Sequence, residues 1–240
     1  MPRSPAPCTA PIFFRDARFS VLTPHAIRIE RHPGCCGGGA RCEFDSLPST
    51  AFTERRPPAA GRRCVWANAS ALEINTSALA LRYSGGAVVG PGSSLSVTSL
   101  ETGHVWTPGS GDGGNLNGTL VSTDCGGMVP LTPEVCIAKY QSMLQPGLLS
   151  RGFGVLIDDT HSFLLDGDPA WPPYGWRKHR AARMGYTDHT FFGHGRDYRR
   201  AMADFVTLSG EVALMPSRAY NFIYSTCGPF SAFRKRSATK

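Results

Sequence analysis

The sequence predicts a mainly β protein, an antiparallel β-sandwich with a late α-helix. Three observations carry this. Glycine and proline are abundant, 27 and 19 among 240 residues, which multiplies turns and favours short strands over long helices. Alternating or apolar runs recur with turn residues between them, the pattern of antiparallel sheet. The clearest helical periodicity comes late, from Asp197 to Leu208. A hydrophobic share of 41% with 18% charged residues belongs to a globular chain rather than a disordered one.

Taken in order, Arg18 to Leu22 reads as a strand, Thr23-Pro24 as a turn, and Ala26 to Glu30 as a second strand. In the second, Ile27 and Ile29 share one face while Arg28 and Glu30 share the other, as a period of two requires. His32 to Arg41 is a Gly/Cys loop. Leu72 to Ile74, Leu79 to Tyr83 and Leu95 to Leu100 are further strands, with Gly85-Gly86 and Pro91-Gly92 as turns. Thr132 to Leu144 reads as a helix, capped by Thr132 with Pro133 in its first turn and ended by Pro146-Gly147.

Phe153 to Ile157 and Ser162 to Leu165 bracket Asp158-Asp159-Thr160-His161, which predicts a hairpin. In the late helix Tyr198, Ala201, Met202, Phe205 and Leu208 form the apolar face, Asp197 suits the N-terminus and Gly210 the end. Tyr220 to Tyr224 reads as one more strand before a basic tail. No internal repeat or linker divides the chain.

The formal charge of +7 is spread over Arg55-Arg56, Arg62-Arg63, Arg199-Arg200 and Arg234-Lys235-Arg236. Such scattered pairs read as solvated residues, so no nucleic-acid partner is expected. No run is long or apolar enough to cross a membrane. The opening MPRSPAPCTAPIFF lacks a continuous apolar core, so no signal peptide is expected and a cytoplasmic location is favoured. The eight cysteines contain no C-x-x-C pair, and histidine spacing completes no zinc pattern, so free thiols and no metal or other cofactor are expected. The sequons at Asn68, Asn75 and Asn117 would matter only in a secreted chain.

Catalytic patterns are missing as well. Asp158 and Asp159 are neighbours and suit a turn better than an acid/base pair, as do Asp166 and Asp168. There is no G-x-S-x-G and no H-E-x-x-H. The run Gly109 to Gly114 has no Lys-Ser/Thr after it, so it reads as a flexible loop rather than a phosphate cradle. Gly193-His194-Gly195 precedes a helix, which suits either an anion on its amides or a tight turn. Trp66, Trp106, Trp171 and Trp176 could stack on sugars but are more often core residues. No residue is assigned a catalytic role.

As an ordered series the segments resemble the N-terminal region of glycoside hydrolase family 31, the α-glucosidase and α-xylosidase family. Asp16 to Pro24 and Ile27 to Glu30 look like its first strands, with Phe44-Asp45 and Ala51-Phe52 after them. Trp106-Thr107-Pro108-Gly109 and Asn115-Leu116-Asn117-Gly118-Thr119-Leu120 follow, the latter close to a family NLGGT segment. Ser122-Thr123-Asp124 falls where the family has TLD. Pro146 to Asp159 is the strongest match. Phe191 to Tyr198, continuing through Asp204-Phe205, Leu208 and Gly210, resembles the helix leading to the family's barrel. Leu214 to Ala219 looks like the approach to the first barrel strand.

The resemblance implies a galactose mutarotase-like sandwich over residues 12–210, after a tail at 1–11. A barrel approach at 211–224 and an unrelated basic tail at 225–240 would follow. It also implies retaining hydrolysis of α-glycosides by paired carboxylates. In the family these are aspartates of a (β/α)8 barrel downstream, and neither falls on any residue here. This chain alone is therefore expected to be inactive. Its partners would be that barrel and, in the whole enzyme, an α-glycoside substrate. A family loop that reaches over the barrel mouth would correspond to Asn115, Leu116, Gly118 and Thr119, with Asp124 nearby, as substrate-binding residues. His32–Arg41 and Thr132–Gln145 stand as insertions, and Asn117 replaces a glycine. A free-standing carbohydrate-binding sandwich and a module that docks on a separately encoded barrel are the competing expectations.

Overall fold

Alternation of apolar and polar residues produces two antiparallel five-stranded sheets in the computed structural model, which describes residues 11–34, 44, 46–56, 64–118, 146–165, 177–179 and 185–211. The first sheet contains β1 (Ile12–Phe14), β2 (Ala17–Thr23), β3 (Ala26–Arg31), β9 (Val155–Asp158) and β12 (Thr187–Phe192), in the order β1-β2-β3-β12-β9. The second is a meander of β4 (Cys64–Ala67), β5 (Leu72–Asn75), β6 (Leu79–Tyr83), β7 (Ser96–Ser99) and β8 (Val105–Trp106). A ribbon pairs β10 (Phe163–Leu165) with β11 (Arg177–His179), and the helix found among the described residues, α1 (Tyr198–Ser209), follows β12.

The sheets meet across a single apolar core. Ala17, Phe19, Val21, Ile27, Ile29 and Phe191 from the first sheet pack with Leu72, Ile74, Leu79, Leu81, Tyr83 and Val97 from the second. Phe19 and Tyr83 approach to 5.3 Å between ring centroids, and Trp106 and Phe191 to 4.8 Å. The sandwich read from the strand pattern is therefore present, with Ile27 and Ile29 inward as expected. Each fully buried Leu, Ile or Phe here contributes roughly 1.5–3 kcal/mol.

The second sheet is one-sided, since Glu73 and Arg82 on its outer face are exposed. The first sheet is covered on both faces. Leu22, Ala26 and Phe192 project away from the shared core and pack on Phe52, Phe205 and Leu208. A register shift between Val21 and Thr23 marks an irregularity opposite β3, where Leu22 joins this second cluster. The segment 46–56 and α1 together form the cover, tied where Glu54 N–H donates to the Leu208 carbonyl at 2.9 Å.

Beneath that cover lies a buried charge network on the outer face of β2, β3 and β12. Arg18 grips Glu30 with two hydrogen bonds of 2.6 and 2.8 Å. Arg28 bridges Glu30 at 2.7 Å and Asp188 at 3.0 and 2.7 Å. Arg55, from the covering segment, pairs with Asp188 and lies 3.4 Å from Asp159. Tyr186 donates to Glu30 at 2.9 Å and Ser49 to Asp159 at 2.8 Å. Burial opposes the charge on Arg28, but Asp188 and Glu30 outweigh it and hold its proton above the ordinary arginine range.

Two expectations change. Phe153–Ile157 and Ser162–Leu165 do not form a hairpin: β9 pairs with β12, and β10 pairs with β11 in a different sheet. The reason lies in the intervening Asp159, which is drawn inward to Ser49 and Arg55 while its N–H donates to the Asp188 carbonyl at 2.8 Å. The chain thereby leaves the sheet. Thr160 N–H still caps Asp158 Oδ1 at 2.9 Å, so a turn is present, but Asp159 serves the interior.

Second, Met202 is 46% exposed. The helix is rotated so that Ala201 and Leu208 are buried and Asp204 sits on the inner side beside Thr23 and His194. Asp197 does cap α1, accepting from Arg200 N–H at 3.1 Å, and Gly210 ends it with a φ of 90° that suits glycine. The expected helix Thr132–Leu144 and strand Tyr220–Tyr224 lie outside the described residues.

Candidate functional site

At one end of the sandwich, five connections gather around a groove of about 970 Å³, one of them the β5–β6 turn with Ser77 and Ala78. The other four are the β2–β3 turn with Pro24 and His25, the β7–β8 turn from Ser99 to His104, the segment Arg151–Phe153, and the β12–α1 turn from Gly193 to Arg200. Arg151, Arg196 and Arg200 give the lining a basic character, partly offset by Glu101 and Asp197. The backbone holds these walls together. Gly193 N–H donates to the His25 carbonyl at 2.8 Å and Gly195 N–H to the Phe153 carbonyl at 2.9 Å.

Those two bonds settle the role of Gly193-His194-Gly195. The glycine amides close a tight strand-to-helix turn and are not directed at an anion. Gly193 has a packing reason too, because a Cβ there would lie 2.7 Å from the Phe191 ring and 2.8 Å from Leu79. The turn thereby fixes His194 against the groove.

His194 is the centre of a side-chain constellation. Its Nε2 lies 2.9 Å from Asp204 Oδ2, which also accepts from the Thr23 hydroxyl at 2.7 Å. Burial disfavours charge on Asp204, but hydrogen bonds with His194 and Thr23 outweigh it and hold the carboxyl below its usual range. The His194 side chain is 3% exposed, and its Nδ1 is buried with no hydrogen-bond partner.

His25 stacks on it, with ring centroids 4.9 Å apart and planes inclined by 19°. Its Nδ1 is likewise buried and without a partner. Burial first, then His194 and Arg200, push the His25 imidazole below its ordinary value, so it is neutral near pH 7. Together His25, His194 and Asp204 present two imidazoles and a carboxylate whose ligand atoms all lie within 4.8 Å of one another. Sequence spacing could not reveal this set, because His25 lies far along the chain from His194 and Asp204. The local signal was confined to a histidine between two glycines.

The residues expected to contact substrate occupy a different loop. Asn115 has its amide fully engaged: Nδ2 donates to the Gly147 carbonyl at 3.0 Å and to Asp112 at 3.1 Å, while Oδ1 accepts from Gly147 and Asn117 N–H at 2.8 Å. Asp112 in turn accepts from the Ser150 hydroxyl at 2.7 Å. The run Gly109–Gly114, read as a flexible loop, is thus anchored at its end to the segment Ser150–Gly152. Leu116 is 41% exposed. Asn117, with φ of 56°, and Gly118, with φ of 125°, turn the chain through left-handed backbone. Asparagine tolerates this left-handed conformation better than most residues that carry a Cβ. Thr119 and Asp124 lie outside the described residues.

The loop and the groove are neighbours through Arg151, whose N–H donates to the Gly114 carbonyl at 2.7 Å while its side chain lines the groove. Trp106 is partly buried and packs against the core beside Phe191. Trp171 and Trp176 fall outside the described residues, as do Asp166 and Asp168. No family model and no curated protein matches this chain.

Proposed function

We propose that residues 12–210 are the non-catalytic N-terminal sandwich of a family 31 α-glycosidase, a galactose mutarotase-like platform for a catalytic barrel. The supporting observation is where the resembling segments fall. Asp16 to Glu30, Pro146 to Asp159 and Phe191 to Gly210, distant in sequence, supply β2, most of β3, β9, the last two residues of β12 and α1. Four of those five are strands of one sheet, in the order β2-β3-β12-β9, and α1 covers it. A chance set of motifs has no reason to assemble side by side.

On this reading the sandwich holds no nucleophile or acid/base residue, and its contribution to substrate is steric. The Asn115 amide fixes the loop, and the exposed Leu116 with Asn117 faces the sugar at the barrel mouth. Aryl α-glycosides are the direct test. The purified chain should release no phenol above buffer, and turnover would overturn the assignment of catalysis to a barrel. Reading the transcript beyond the Ala219 codon is the second arm: a barrel with paired aspartates is expected, and its absence would remove the proposal.

The groove favours one rival, a free-standing carbohydrate-binding sandwich. Its basic and imidazole lining offers hydrogen-bond donors to sugar hydroxyls. Calorimetric titration with maltose separates the two readings, since the rival requires measurable binding and the platform requires none.

A further inference from the structure

The groove's inner wall carries a feature that the glycosidase reading does not use. We propose that His25, His194 and Asp204 form a binding site for a divalent transition-metal ion, zinc by donor chemistry, with its remaining positions open to the groove.

The donor types come first. Two neutral imidazoles with one carboxylate suit zinc and its neighbours, and do not suit calcium or magnesium, which take oxygen ligands. The three side chains come from separate elements: the β2–β3 turn, the β12–α1 turn and the helix. Their ligand atoms already lie within 4.8 Å of one another. Bonds of about 2.0–2.1 Å at tetrahedral angles put donors roughly 3.3 Å apart, so binding requires a small contraction. Rotation of the stacked rings about χ2, a broad and soft torsion for histidine, supplies it.

Buried unmet polarity is the second observation. His25 Nδ1 is enclosed without a partner, at a free-energy cost that a ligand at that atom would relieve. The third is the support around the donors. Thr23 donates to Asp204 at 2.7 Å and so orients the carboxylate, the arrangement that fixes ligands in metal centres. Arg200 is the opposing influence, since its charge acts on His25, and the carboxylates of Asp197 and Asp204 act against it. Three protein ligands leave at least one position for water or a groove-bound anion.

Cobalt(II) titration of the full chain, followed by absorption, tests the site. One equivalent should bind with ligand-field bands and no thiolate-to-cobalt charge transfer, which separates this site from the cysteines. His25→Ala, His194→Ala and Asp204→Asn should each weaken binding roughly tenfold or more. No bound equivalent, binding through thiolate alone, or affinity unchanged in these variants would overturn the proposal. A measurement on the unaltered chain covers the case of a variant that fails to fold. Zinc should shift the ring NMR signals of His25 and His194 and leave that of His189 in place. Unmoved His25 and His194 signals would refute the site independently of any substitution. This inference is independent of the glycosidase reading, because catalytic inactivity and metal binding are separate measurements.

Discussion

Arg28 lies among carboxylates at 2% exposure, where a charge survives only because Asp188 and Glu30 meet it from two strands. Replacing it by methionine keeps most of the volume and strands those carboxylates in the interior. Arg28→Met should therefore lower stability by about 3–5 kcal/mol in urea denaturation, and a loss under 1 kcal/mol would show that Arg18 and Arg55 suffice. His189 makes the opposite kind of demand. Burial pushes its imidazole below the ordinary 6.5, against the pull of Asp158 and Asp188. The unfolded chain then takes up a proton below pH 6.5 that the folded chain refuses, so stability falls as pH drops from 6.5 towards the lowered value. A His189→Gln variant should show a flatter pH dependence of its urea midpoint over that window. An unchanged slope would place the titration elsewhere.

Among the elements, α1 is held by few side chains, with Phe205 and Leu208 packed on Phe52 and Phe192. Leu208→Ala should destabilise by about 2–5 kcal/mol and speed amide exchange across the helix; exchange confined to the substituted turn would contradict this. Such elements differ in how plainly the sequence announces them. Ile27 with Ile29, and Leu79 with Leu81 and Tyr83, alternate cleanly because each strand turns one side to the apolar core and the other to polar partners, a buried ion network for β3 and solvent for β6. The first sheet's last central strand does not: β12 reads Thr-Asp-His-Thr-Phe-Phe, with buried polar residues where a core strand should be apolar. Asp188 belongs there only because Arg28 and Arg55 arrive from elsewhere. The false hairpin has the same origin, since nothing near Asp159 betrays its distant partners Ser49 and Arg55. Likewise Asn115 was legible as a loop residue, whereas the His25–His194–Asp204 set was not, being assembled by tertiary packing alone.

For the molecule as a whole, the shared core makes the two sheets interdependent. Phe19, Ile27 and Ile29 of one sheet find their apolar neighbours in Leu72, Leu81 and Tyr83 of the other. Thermal unfolding followed by far-UV and by near-UV circular dichroism should therefore give coincident transitions. Two separated midpoints would mean that each sheet is stable without its partner. Among the described residues the outer face of β2, β3 and β12 is buried beneath the segment 46–56 and α1, and the groove opens at one end of the sandwich.

The position of β3 also sets a timetable for synthesis. It lies between β2, its immediate neighbour in sequence, and β12, whose Asp188 is 160 residues beyond Arg28. While the ribosome is still making the middle of the chain, β3 has one edge unpaired and Arg28 has not yet met Asp188. Closure of that edge must await the arrival of β12, which makes folding slow and late. Until then the nascent chain carries an open strand edge, the kind of surface that chaperones shield.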